Sequence, residues 1–129
     1  LAALREHQPL NAATGAVHAA AACDRTGGVI AAFEDVGRHN ALDKLVGHLA
    51  LAEMAVPPPA FLLVTSRISF EMVDKALVAR AALLMGISAP TSLAIDHARA
   101  HDLTLVALAR PDAMLVLNDP GRLFEGELT

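Results

Sequence analysis

The sequence predicts an α/β fold: helices layered on a mixed, mainly parallel sheet. Three observations point there. Short apolar runs of strand type alternate with segments of helical period, the order that builds a parallel sheet with flanking helices. Two of those runs, FLLVT (61–65) and LTLVALA (103–109), are apolar almost throughout, as strands covered on both faces are. The alternation starts only after two runs joined by Arg25-Thr26-Gly27-Gly28, a turn of the kind that makes a hairpin.

The elements follow in chain order. Residues 1–13 read as a helical or irregular lead-in to a domain over 14–129. HAAAACD (18–24) and VIAAFEDV (29–36) are the hairpin strands; alanine is a poor strand former, so the turn carries this assignment. In GRHNALDKLVGHLALAE (37–53), Leu42, Leu45, Val46 and Leu49 fall on one helix face. Pro57–Pro59 end that unit. SFEMVDKALVARA (69–81) reads as a helix with Met72, Val73, Ala76 and Leu77 inward, and LLMGIS (83–88) as a short strand. SAPTSLAIDHARAHD (88–102) is a helix that opens with Pro90 and with Thr91 and Ser92 as N-cap candidates. LTLVALA and AMLVLND (113–119) supply the last strands, and a polar, turn-rich tail closes the chain.

Composition narrows the function. The 129 residues are 54% hydrophobic and 19% charged, enough apolar matter for one real core, and much of it is alanine. Aromatics make up 3%, with no Trp or Tyr, so there is no stacking platform for single-stranded nucleic acid. A net charge of -4 argues against a broad phosphate-tracking surface, though not against a small phosphate pocket. The single cysteine, Cys23, excludes an internal disulfide and a CxxC pair; in its apolar stretch it reads as a buried, inert thiol. No apolar run reaches membrane-spanning length and no secretory signal is evident, so a cytoplasmic protein is expected. The chain opens on Leu1, not Met, and so reads as a piece of something longer.

The polar residues gather where an apolar strand gives way to a helix. The clusters are Glu34-Asp35-Val36-Gly37-Arg38-His39-Asn40, Thr65-Ser66-Arg67-Ile68-Ser69 and Ser88-Ala89-Pro90-Thr91-Ser92. In a parallel sheet these strand ends share one edge, where ligands bind and helix N-termini aim free N–H groups. Asn40, Asp43, Lys44 and Gly47 share the helix face opposite the leucine stripe. Lys44 is placed to reach an anion at the helix start, and Asp43 to hold Lys44 or to accept from a base edge. Any one cluster reads as caps and solvated charges; three of one kind at neighbouring strand ends read as an anion site. Glu71 and Lys75, at i and i+4, read as a solvated pair. His97 and His101 share that spacing, but HARAH lacks the zincin glutamate and a third ligand, so both are expected to face solvent. His18 is either a satisfied structural histidine or part of the crevice lining.

The run EDVGRHNALDK (34–44) resembles the signature of the FdhD family. TGAVHAA (14–20), TSRISFEMVDKA (65–76), SAPTSLAIDHA (88–98) and LTLVALAR (103–110) resemble further segments of that family, in its order, from Gln8 to about Leu117. The sequence departs from the family pattern at Ala16, at Ser66 and in ARPDAML (109–115). The resemblance implies the cofactor-binding, carboxy-terminal part of a sulfur carrier that matures formate dehydrogenase. Such a protein takes persulfide sulfur from a cysteine desulfurase and passes it to the molybdenum (or tungsten) bis-molybdopterin guanine dinucleotide cofactor. A cytidine-deaminase-like fold, a homodimer and GDP binding as a mimic of the cofactor's ends are also implied. So is a CGxCG-like loop carrying the sulfur, which is expected upstream of Leu1.

Together the clusters and the resemblance nominate one set of cofactor-binding residues. It comprises Thr14, Gly15 and His18; Glu34, Asp35, Gly37, Arg38, His39, Asn40, Asp43 and Lys44; Ser66, Arg67 and Ser69; Ser88 and Thr91; and Leu108, Ala109, Arg110, Pro111, Asp112 and Ala113. No catalytic residue and no metal ligand is expected in this chain. A zinc deaminase needs H-x-E and a later P-C-x-x-C, and neither is present. Two other readings compete: a diverged nucleotide hydrolase or deaminase-like enzyme, and a purely structural dimerisation domain.

Overall fold

A computed structural model describes residues 18–24, 26, 28–51, 60–109 and 113–120. The predicted lead-in, the triple proline, Gly27 of the turn and most of the tail lie outside the described residues. The strands are β1 (His18–Cys23), β2 (Val29–Asp35), β3 (Phe61–Val64), β4 (Leu83–Gly86), β5 (Thr104–Ala107) and β6 (Leu115–Asn118). The helices are α1 (Arg38–Leu51), α2 (Phe70–Val78) and α3 (Ser92–Ala100).

One six-stranded sheet has the order β2-β1-β3-β4-β5-β6. β1 is antiparallel to both its neighbours, β3, β4 and β5 are mutually parallel, and β6 is antiparallel to β5. β2, β3, β4 and β5 therefore run the same way, and only β1 and β6 run against them. The sheet is mixed, as expected, with its parallel pairings confined to β3, β4 and β5.

The alanines of β1 form a strand because both of its edges are paired, with Ala20 opposite Phe33 on one side and Val64 on the other. Tertiary pairing overrides their weak intrinsic preference. The Asp24 carboxylate closes the hairpin by accepting from the Thr26 and Gly28 N–H groups, at 2.9 Å each.

All three helices contribute to one apolar layer on one face of the sheet. Leu42 and Leu45 of α1, Met72, Val73 and Ala76 of α2, and Ala94 and Ala98 of α3 are buried with Ala20, Ala22, Leu62, Val64, Leu84 and Leu105. Small β1 side chains let α1 sit close, which answers to the alanine-rich composition. The opposite face buries Ala19, Ala21, Cys23 and Leu63, so β3 is covered on both sides. Burial of each Leu-sized side chain contributes roughly 1.5–3 kcal/mol.

Candidate functional site

The shared direction of β2, β3 and β4 puts their carboxyl ends, and so the starts of α1, α2 and α3, on one edge of the sheet. The three polar clusters therefore do meet. His18, at the entry of β1, lies opposite Asp35 on the same edge. The end of β5 and the start of β6 complete it, with Ala107 opposite Leu115.

At the start of α1, Asp35 organises the chain. Its Oδ1 accepts from the Gly37 N–H at 3.0 Å and the Asn40 amide at 3.5 Å, and Oδ2 lies 2.7 Å from Lys44 Nζ. The Lys44 hydrogen bond, and then the Gly37 N–H, hold the Asp35 carboxyl below the usual carboxylate range. Lys44 also donates to the Glu34 carbonyl at 3.0 Å. The anion that Lys44 meets is thus a carboxylate of its own chain. Gly37 closes the first turn, its carbonyl accepting from Ala41 N. It has no side-chain oxygen to cap the N–H groups of Arg38, His39 and Asn40. No acidic residue stands in the first turn of α1; Arg38 occupies it instead, exposed.

The other two helix starts are capped. Ser69 Oγ accepts from Met72 N at 3.4 Å and Thr91 Oγ1 from Ala94 N at 3.1 Å. Glu71 is held below the usual carboxylate range by its own backbone N–H, with the Ser69 hydroxyl adding to this. Ser69 Oγ is thus engaged in capping α2, and the Thr91 hydroxyl, which caps α3, donates to no acceptor among the described residues. The two starts are tied together: Ile68 bridges Pro90 in parallel, and Thr91 N donates to the Ile68 carbonyl at 3.0 Å. Arg67 stands exposed beside this tie. Neither Arg38 nor Arg67 has an ion-pair partner among the described residues.

Several expectations need correction. Ser66 is buried, donating to the Arg67 carbonyl at 3.2 Å with Met72 Sδ at 3.7 Å, so its hydroxyl is not offered to the edge. Asp43 does not hold Lys44, and Lys75 does not pair with Glu71: Asp43 and Lys75 meet each other at 2.8 Å across α1 and α2. A tertiary neighbour outcompetes the i, i+4 partner because it is already fixed by packing. His97 does not face solvent. It stacks on Phe70 with centroids 4.1 Å apart, and its Nε2 lies 3.3 Å from Asp74 Oδ1, because α3 packs against α2. His101 is exposed, as expected, and no metal-binding cluster occurs among the described residues.

Of the remaining nominated residues, Ser88 is half-buried at the edge, Ala109 is buried and Ala113 exposed. Thr14, Gly15, Arg110, Pro111 and Asp112 lie outside the described residues. Leu108 has φ 53°, a left-handed conformation rare for a branched side chain. Its N–H donates to the Ser88 carbonyl at 3.3 Å, which anchors the end of β5 to the loop after β4. Thr65, which opens the second polar cluster, has a structural role that sequence reasoning did not foresee: its Oγ1 accepts from Ala19 N at 2.9 Å and prolongs the β1–β3 pairing. Only its place one residue beyond an apolar run hinted at this.

Known proteins resemble this chain as a whole. The chain is 53% identical over 123 residues to the sulfur carrier protein FdhD of Xanthomonas euvesicatoria pv. vesicatoria, covering 95% of this chain and 43% of that one. The sulfur carrier protein FdhD of Variovorax paradoxus is 51% identical over 121 residues, covering 93% and 43%. The chain thus spans less than half the length of these curated relatives. A crystal structure from Desulfotalea psychrophila, described as a formate dehydrogenase accessory protein, superposes with a TM-score of 0.83 at 33% identity. That match covers 94% of this chain and 53% of the other. The sequence pattern of the FdhD/NarQ family matches residues 1–124, and this chain belongs to that family.

Proposed function

We propose that this chain is the cofactor-binding part of a protein that matures formate dehydrogenase. It holds the molybdenum (or tungsten) bis-molybdopterin guanine dinucleotide cofactor while sulfur from a cysteine desulfurase is transferred to it. The sulfur rides on a cysteine other than Cys23, which is buried. The protein works in the cytoplasm as a homodimer. No described helix is long and apolar enough to cross a membrane.

One observation carries the reading. Arg38 and Arg67, unpaired among the described residues, stand at helix N-termini, where the helix dipole disfavours a cation. An arginine in such a place is stabilised once an anion lies between it and the free N–H groups, and the guanidinium fork fits phosphate oxygens. A diphosphate of the cofactor meets that demand. The uncapped start of α1 and the Thr91 and Ser88 hydroxyls supply further donors. The second oxygen of Asp43, not engaged by Lys75, is the acceptor for the guanine N1–H and amino group. Asp35 has both oxygens engaged already.

Calorimetric titration of GDP and ADP tests this. GDP should bind more tightly than ADP. Arg38→Ala and Arg67→Ala should each lose on the order of 1.5–3 kcal/mol, about ten- to hundredfold in affinity. Equal GDP and ADP affinities would remove the guanine assignment, and unchanged GDP binding in both folded variants would remove the location.

A further inference from the structure

Of the phenylalanines among the described residues, Phe33, Phe61 and Phe70, only Phe70 is exposed. It is the first residue of α2, at the ligand edge, and is 42% exposed. The ring is nevertheless fixed in place. It stacks on His97 of α3, with centroids 4.1 Å apart and planes 30° from parallel. His97 is held in turn: His101 meets it edge-on at 4.6 Å, and its Nε2 lies 3.3 Å from Asp74 Oδ1. Three rings thus run in a row along the groove between α2 and α3, and Phe70 is the member of the row at the helix start.

Apolar bulk alone would suffice to cover His97. An aromatic ring braced from behind, with the rest of it in water, offers something more specific: a flat surface on which a heterocycle stacks. Stacking asks for no charge, so the carboxylates of this edge do not oppose it. Arg67, exposed and unpaired among the described residues, precedes Phe70 by three residues. That length of chain spans at most about 11 Å, a gap that one nucleotide-like ligand bridges from its phosphate to its ring. Asp43 is not the partner of this ring. It meets Lys75 on the α1 flank of α2, whereas Phe70 meets His97 on the α3 flank.

We propose that Phe70 is a stacking plate for a planar, nitrogen-rich bicyclic ring, a purine or a pterin, of the molecule whose phosphate Arg67 holds. The proposal rests on the anion site described above and adds a ring site on the other flank of α2. The cofactor named there carries rings of both kinds.

The chain contains no Trp, so Phe70→Trp puts a single indole at the plate. Val78→Trp puts one at the opposite, exposed end of α2 as a control. Each variant is titrated with GDP and with neopterin, a free pterin, while indole fluorescence is read. Saturable quenching is expected in Phe70→Trp and not in Val78→Trp. Quenching by GDP assigns a purine to the plate, quenching by neopterin a pterin. Phe70→Leu keeps apolar cover over His97 and removes the plate. By calorimetry it should bind the quenching ligand about five- to hundredfold more weakly than the wild type, with its affinity for inorganic pyrophosphate unchanged. Absence of saturable quenching by both ligands, equal quenching in Val78→Trp, or wild-type affinity in Phe70→Leu overturns the plate. If pyrophosphate binds the wild type and neither ring quenches, the plate is lost and the anion site stands. If neither GDP nor pyrophosphate binds the wild type while neopterin still quenches Phe70→Trp, the anion site is lost and the plate stands.

Discussion

Gly86 ends β4 directly beneath the loop that carries Arg67. A Cβ there would lie 2.7 Å from Ile68 Cδ1 and 3.0 Å from Cγ1, against the 3.5–4.0 Å of an ordinary carbon contact. Ile68 has no exposed surface, and its backbone is pinned by the Pro90 bridge and the Thr91 N–H. The methyl of Gly86→Ala must therefore be absorbed by an off-rotamer isoleucine or a backbone shift. Such overpacking costs about 1–3 kcal/mol, or a fall in Tm of about 4 °C for each of them. Ile68→Val removes the clashing Cδ1 and by itself costs about 0.5–1.5 kcal/mol. The double variant should be less destabilised than the sum of the two by about 1 kcal/mol, as contacting residues are. A double-mutant cycle from urea denaturation reads this directly. Additivity within about 0.3 kcal/mol would show that Ile68 is not what excludes a side chain at Gly86. Because Ile68 follows Arg67, Gly86→Ala should also weaken GDP binding, and the double variant should recover part of it.

Three further outcomes are expected. The Asp35 carboxyl is held below its ordinary value of 3.8, chiefly by Lys44. A depressed folded-state value contributes stability above the ordinary value that is lost as pH falls through the folded one. Urea midpoints measured between about pH 5 and pH 3 should therefore fall less steeply in Asp35→Asn than in the wild type. The Cys23 thiol is pushed up to about 11, mainly by burial. It should resist alkylation at neutral pH until the protein is unfolded, and Cys23→Ala should leave formate dehydrogenase maturation intact, measured as enzyme activity in complemented cells. Gly47 sits exposed in α1, where an added Cβ would meet nothing within 4 Å. Gly47→Ala should raise the stability read by urea melts by about 0.5–1 kcal/mol.

Much of this architecture was legible in the sequence, because local rules and tertiary structure agree there. The leucine period of α1, the turn after Asp24 and the apolar runs of β3 and β5 each say in one dimension what the sheet requires in three. The meeting of the polar clusters was legible too, since it follows from strand direction alone. What stayed hidden depends on which elements become neighbours. The i, i+4 rule gives Lys75 to Glu71, but the packing of α1 on α2 gives it to Asp43. Helical spacing leaves His97 open to solvent, but α2 brings Phe70 and Asp74 to it. Hydroxyls at helix starts serve equally as caps or as ligand donors; only coordinates divide Ser66, which donates inward, from Ser69 and Thr91, which cap their helices. The left-handed backbone of Leu108 leaves no mark in a leucine, whereas a glycine would have announced it.

The common orientation of α1, α2 and α3 has an energetic consequence for the fold as a whole. Helices that lie side by side and point the same way have dipoles that repel, and their positive ends are crowded along one edge. The anion proposed for that edge would relieve the repulsion of all three at once, binding the folded chain with nothing comparable to bind in the unfolded one. Occupancy is then coupled to folding: a ligand at a hundred times its dissociation constant adds about 2.7 kcal/mol to stability. Under the proposed role, the empty chain would be the more readily unfolded and proteolysed of the two forms, and cellular turnover would itself favour the molecules that carry their cargo.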